Sequence, residues 1–562
     1  MCRKAEEAPT IPICKSGFYG LLAGALILPL SAAEASREDH ALLSAYVQAR
    51  AADTIGAADR ASQGYAAVLA LAPQNEILAA RALGQAVEAG DPALAVRSAR
   101  ILEKAGLLAP DIRLLLLTEA LRTRDWKAAT LHIDAIEKDE IFAFMAPVLR
   151  AWLAFETGDG DPIAILDAAA DDPIAGAYVA EHRPLILLAQ GNRKEGVAGL
   201  VAMAEGGGGR ASRLRIAGAA WLADNNDRKA AAILLQGDEA PLVAARALLE
   251  KREPIPGAID GASAGIAEFL VRVAIDLHRQ NVSSLALTYA RLATFLAPEN
   301  SETWLVTSEI FAAREQEAAA LEVLAHIPPG DPFAAIVSES RIRLLVATGQ
   351  AEKALADARA AVASGPPAAA EWTRLGDLYG GLKRLDEAAA AYAEALALAR
   401  GQENEWALWL LRGGVLEQAG DWAEAKAALE AAYRLAPQQP IVLNYLGYAQ
   451  LERRENIEEA MRLIAEASRL QPDSAEITDS LGWAHYLRGN LPQAIQLLEK
   501  AVVGQPADPA INEHLGDAYY SAGRRYEARY AWEAALIYAE DEDAARLRAK
   551  LETGLTPKLA SP

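Results

Sequence analysis

The chain has 562 residues, 52% hydrophobic but only 6% aromatic, so its apolar content is mostly Ala and Leu. Those are strong helix formers, and the aromatic, β-branched signature of sheets is thin. A formal net charge of −21 argues against nucleic acid as a partner, because neutralising phosphates needs clustered Lys and Arg.

In chain order, Arg3, Lys4 and Lys15 precede the apolar stretch Gly17–Leu30, and Ala33-Glu34-Ala35 follows as a small-x-small cleavage pattern. Residues 1–35 therefore read as a signal peptide and the protein as exported, to the periplasm. The alternative is an uncleaved anchor, which leaves membrane association open. Both cysteines, Cys2 and Cys14, precede the cleavage point. The predicted mature chain thus lacks a thiol for disulfide, metal or nucleophile, and no cysteine follows the apolar run for lipid attachment.

Residues 36–252 read as helix, turn, helix throughout. Turn signals at Gly90-Asp91-Pro92, Gly158-Asp159-Gly160, Gly191-Asn192 and Asn225-Asn226-Asp227 separate amphipathic Ala/Leu-rich segments. This half is expected to be degenerate helix-pair repeats, with a separate non-repeat helical domain as the alternative. Residues 253–265, with two prolines and several glycines, read as a linker, either a hinge or an irregular loop.

Self-similarity dominates the second half. Leu446-Gly447, Leu481-Gly482 and Leu515-Gly516 place glycines 35 and 34 residues apart, and Gly413 and Gly376 extend the series upstream. Each glycine predicts a small residue about twelve positions on, at Ala388, Ala425, Ala460, Ala494 and Ala528. A large apolar residue follows at Tyr392, Leu429, Ile464, Leu498 and Trp532, then alanine again at 395, 432, 467, 501 and 535. Pro437, Pro472 and Pro506 close second helices, since proline cannot continue the ladder. Carried backwards, the frame meets Ile342, Ser308 and Ala274 as anchors, with Ala354, Ala320 and Ala286 at crossings and Pro366, Pro332 and Pro298 as closers. Eight repeats are predicted over residues 266–540. Residues 541–562 read as a polar capping helix followed, from Leu555, by a disordered tail.

These marks match the pattern W-x2-L-G-x2-Y, A-x3-F, A, P, so the chain resembles the tetratricopeptide-repeat (TPR) family. The fold this implies is all-α: a TPR superhelical solenoid of stacked antiparallel helix pairs, its N-terminal half divergent and TPR-like. More narrowly, LNYLGYAQLERRENIEEA, DSLGWAHYLRGNLPQAI and NEHLGDAYYSAGRRYEARYAW resemble exported Gram-negative TPR proteins. These include adaptor lipoproteins of a carboxyl-terminal processing protease, from which the chain departs by lacking the lipobox cysteine.

No HExxH, phosphate-loop or G-x-S-x-G motif appears, and Gly206–Gly209 lacks a following Lys-Ser/Thr. The seven histidines are scattered, so no catalytic residue, metal site or cofactor is expected, and the chain reads as not an enzyme. In a TPR array first helices line the concave face. The frame turns Asn444, Tyr448, Leu451, Asp479, Trp483, Tyr486, Glu513, Asp517 and Tyr520 inward, an aromatic and acidic strip suited to an extended peptide with basic or apolar side chains. The competing reading places Trp483 and the tyrosines inside the repeats as core.

The expected function is a protein-binding scaffold or adaptor of the bacterial cell envelope. The resemblance implies recruitment of substrates to a periplasmic protease. A structural role in envelope or exopolysaccharide assembly is the alternative, and an enzyme site hidden in the N-terminal half is a third reading.

Overall fold

The computed structural model describes residues 29–109, 112–205, 210–363 and 367–561. Most of the expected signal peptide (1–28), both cysteines, the Gly206–Gly209 turn and Pro366 lie outside them. All described elements are helical, thirty α-helices and one short 3-10 turn, with no strand among the described residues. No described helix is long and apolar enough to cross a membrane. The chain forms two compact units, Met1–Ile310 and Phe311–Pro562.

In the N-terminal unit, successive helices pair antiparallel: Glu76–Ala89 with Pro92–Lys104, Arg113–Arg122 with Trp126–Glu137, Ala146–Thr157 with Pro162–Asp167, and Ala175–Ala189 with Arg193–Glu205. Local chemistry sets the turns. Gly90 and Gly158 take left-handed backbone (φ 78° and 76°) and end their helices. Asp91, Asp125, Asp161 and Asp227 then open the next ones by accepting from first-turn amides, each cap contributing about 1 kcal/mol.

A further hairpin, Ala262–Arg279 and Ser283–Leu296, does not simply extend this row. It packs across the first helices Glu76–Ala89, Arg113–Arg122, Ala146–Thr157 and Ala175–Ala189, filling the inner face that they line. The fit is close. A Cβ on Gly265 would lie 2.1 Å from the Trp152 ring, and the Trp152 indole donates to His182 Nδ1 at 3.0 Å. Tyr178 donates to Asp276 at 3.0 Å, Glu156 accepts from the Ala262 amide at 3.1 Å, and Arg291 donates to the Glu88 carbonyl at 2.8 Å. The 252–261 turn that delivers the hairpin is itself anchored by buried Ile255 and Ile259.

A buried ionic cluster adds to this. Arg210 touches Glu181, Glu268 and Glu302, and Arg213 lies 3.1 Å from Glu268. Burial pushes the Glu268 carboxyl up, but Arg213 and Arg210 outweigh it and hold it low. His182 goes the other way, burial lowering it to about 3, so it accepts as the neutral ring.

In the C-terminal unit the glycine frame has a direct steric cause. A Cβ on Gly516 would sit 2.4 Å from Trp532, and one on Gly447 would sit 2.8 Å from Ile464. The same pairing joins Gly376 to Tyr392, Gly413 to Leu429 and Gly482 to Leu498. All ten alanines at the two small-residue positions from Ala388 to Ala535 have no exposed surface. Backbones therefore meet through small residues while one large side chain per hairpin fills the volume left. Ala460 falls one residue later after its glycine than the other four crossing alanines, and left-handed Arg454 and Asn456 (φ 53° and 45°) absorb the extra residue.

The C-terminus departs from expectation. The Asp541–Thr553 helix buries Lys550 completely. The tail expected to be disordered turns at Gly554 (φ 81°), packs Leu555 against the Trp532 cluster, and brings the Ser561 amide to Asp517 Oδ2 at 2.9 Å. A buried carboxylate needing donors explains why the tail is held.

Candidate functional site

The first helices of the last three hairpins, Pro440–Glu452, Ala475–Leu487 and Pro509–Ser521, carry the nine residues expected to face a ligand. Leu451, Asp479, Trp483, Glu513 and Asp517 are all buried, and so present no open surface; Asn444, Tyr448, Tyr486 and Tyr520 are half-exposed.

The buried members are joined across repeats. Trp483 stacks on Tyr486, with centroids 4.5 Å apart, and on His514 of the next hairpin at 4.1 Å. His514 Nδ1 lies 2.9 Å from the Asp479 carboxylate. Glu513 binds Arg546 in a two-pronged pair (2.8 and 2.7 Å) and Lys550 at 2.7 Å. Asp517 accepts from Lys550 at 2.7 Å, from the Trp532 indole at 2.9 Å and from Ser561.

The same motif recurs upstream, where Arg374 meets Glu339 at 2.9 Å and Arg453 meets Glu417 at 2.6 Å. An acid on one first helix thus meets a base about one repeat further along, at Glu339, Glu417, Asp479 and Glu513. These acids tie hairpin to hairpin, which corrects the expectation that Asp479, Glu513 and Asp517 form a free acidic strip. Of the bases, His514 falls on a first helix in the sequence frame, where packing or groove exposure explains it, and Arg453, Arg546 and Lys550 are not singled out from the sequence. The signal was available, because each pair is separated by nearly the repeat period.

Electrostatics follow this geometry. Burial disfavours the charged ring of His514, yet the Asp479 carboxylate, with Asp517 and Glu513 behind it, raises its pKa above 6.5 overall. Burial likewise opposes ionisation of Glu513, but Arg546 and Lys550 hold it below the usual range. Glu452 differs. Burial and the neighbouring Glu417 carboxylate push it up, and Arg453, 3.8 Å away, only partly offsets them.

What stays accessible is a half-exposed strip of Asn444, Tyr445, Tyr448, Glu452, Tyr486 and Tyr520. Tyr486 and Ser521 hydroxyls meet at 3.2 Å, whereas the Asn444 side-chain oxygen is itself buried, without a hydrogen-bond partner among the described residues. Phenol rings offer flat apolar faces and edge hydroxyls, and Glu452 is an under-neutralised acid beside them. That set can seat an extended chain and accept a basic side chain. No group of three or more His, Cys, Asp or Glu that might hold a metal occurs among the described residues.

Comparison with known proteins finds repeat similarity over part of this unit, residues 340–510. A family model described as tetratricopeptide repeat matches residues 340–405, 373–440, 410–475 and 446–510. A TPR repeat-containing protein of Pseudomonas aeruginosa is 32% identical over 111 residues, 17% of this chain and 19% of that protein, so the match spans about a fifth of the relative's length. Among solved structures, a thermophilic TPR protein of Thermus thermophilus is 24% identical, covering 33% of this chain and 98% of that one at a TM-score of 0.29. A tetratricopeptide repeat protein of Parabacteroides merdae is 14% identical, covering 46% and 99% at a TM-score of 0.39.

Proposed function

The chain carries tetratricopeptide repeats, which generally mediate protein–protein contact, and from that premise we propose a non-catalytic adaptor that binds an extended partner segment on the inner face of its C-terminal unit. One observation supports this choice of face above others. In the N-terminal unit the corresponding face is already filled by the 262–296 hairpin, whereas Tyr445, Tyr448, Glu452 and Tyr486 keep accessible surface. The favoured segment pairs apolar side chains with Lys or Arg, which would neutralise Glu452.

The test is binding of synthetic Lys/Leu-containing peptides by the full chain and by Tyr448→Ala/Tyr486→Ala. Both rings also pack against the repeat core, and Tyr486 stacks on Trp483, so the thermal midpoint is measured alongside and binding is compared at a temperature where both proteins are folded. Loss of binding supports the reading, and unchanged binding overturns it. A site in the cell envelope, delivering substrates to a processing protease, is the finer form of the proposal, motivated by the leader-like residues 17–35. Capture from envelope extract with mass spectrometry tests it; a cytosolic partner set would sink it.

A further inference from the structure

A second surface carries the opposite charge. Between the Pro92–Lys104 helix and the end of the Arg113–Arg122 helix lies an open cavity of 550 Å³ whose charged lining is Arg97, Arg100, Lys104, Arg122 and Glu119. Helical spacing puts Arg97, Arg100 and Lys104 on one face, at i, i+3 and i+7. The carboxylate of Glu119 sits 3.3 Å from Arg122 and 3.9 Å from Arg100. Arg97 donates to the Leu69 carbonyl, and Lys104 has no anionic partner among the described residues. Four cations therefore face one acid, in a chain whose net charge is −21. Arg100 and Arg122 are largely exposed, and exposed pairs of this kind contribute little, so Glu119 does not discharge the site.

Apart from Gln74, the rest of the lining is apolar, with Val96 and Ile101 beside Pro73, Pro92 and Ala93. Outside the lining, Leu71 and Ile77, bracketing the Pro73–Gln74 turn, add apolar surface that is 48% and 72% exposed. A bare inorganic anion would use the charges and leave the apolar surface wet. A nucleic acid backbone would need a longer basic stripe than one cavity supplies. An acidic segment with leucine- or phenylalanine-like side chains uses both features.

We propose that this cavity docks an acidic, amphipathic peptide segment of a protein partner. The inference is independent of the C-terminal face, which takes the opposite charge, and it makes the chain a scaffold with two segment-specific surfaces. The probe is a fluorescein-labelled synthetic peptide alternating Glu with Leu and Gly, titrated into the full chain at low salt and followed by anisotropy. The comparison is Arg100→Glu/Lys104→Glu, both exposed side chains, with the thermal midpoint as a folding control. Saturable binding, weakened about tenfold or more in the variant and reduced by added salt, supports the site. Absent binding, or equal binding by the folded variant, overturns it. Displacement of the peptide by an equal concentration of inorganic phosphate also overturns it, by reducing the cavity to a bare anion site. Should the double variant melt early, Lys104→Glu alone, which breaks no ion pair, carries the same two outcomes.

Discussion

Replacing Lys550 with Met tests how the last hairpin is held. The ammonium is completely buried and lies 2.7 Å from both Glu513 and Asp517, themselves buried. Removing one partner of a buried ion pair costs roughly 3–5 kcal/mol, mostly because the acid left behind is desolvated and unpaired. Glu513 keeps its two-pronged contact with Arg546, and Asp517 keeps the Trp532 and Ser561 donors, so the loss belongs near the lower end, about 3 kcal/mol. Stacked hairpins touch mainly their neighbours, so the damage should stay local. Amide exchange read by mass spectrometry is expected to show lost protection over 509–561, with 369–435 unchanged. The pH dependence has a definite sign. Without the ammonium the folded-state pKa of Asp517 lies above its unfolded value of about 3.9, so the deficit is smallest at acidic pH and grows as pH rises through the folded value. Unchanged protection at neutral pH, or a deficit that deepens on acidification, would refute the reasoning.

Three further outcomes are expected. Gly516→Ala places a Cβ 2.4 Å from Trp532; overpacking of about 1–3 kcal/mol should outweigh the gain in helix propensity of up to about 1 kcal/mol, and a higher melting midpoint would contradict it. Gly265→Ala should unseat the inner hairpin from Trp152, read as a red shift of indole emission and new proteolytic cleavage between residues 252 and 261; an unaltered spectrum and digest would count against the filled inner face. The His514 pKa is raised, so its pairing with Asp479 stabilises fully below the ordinary value of 6.5 and is lost as pH rises through the higher folded value. NMR of the labelled ring should give a midpoint above 6.5, and one below would remove the charged joint.

The helical-hairpin architecture was legible because its cause is local and periodic. Gly447, Gly482 and Gly516 recur at the repeat interval for the reason the packing displays, a large side chain directly beneath each. The inner hairpin of the N-terminal unit was not legible in this way. Gly265 meets Trp152 over a hundred residues away, and no periodicity carries that contact. The candidate face was half legible. Inward-facing positions were identified from the frame, but an inward acid looks the same in sequence whether it awaits a ligand or a neighbouring repeat. Asp479 and Glu513 bind His514, Arg546 and Lys550, and the base lying one period away was the discriminating signal.

The most direct measurement is site-specific photocrosslinking. A benzophenone side chain replaces Tyr448 on the inner face in one variant and the outer-face Tyr530, 72% exposed, in another, each in the full chain with its natural partners present. Crosslinked partner peptides at position 448, rich in Lys or Arg beside apolar residues and absent at position 530, are the expected result. Adducts at 530 with none at 448 would contradict the assignment of the inner face as the place of contact.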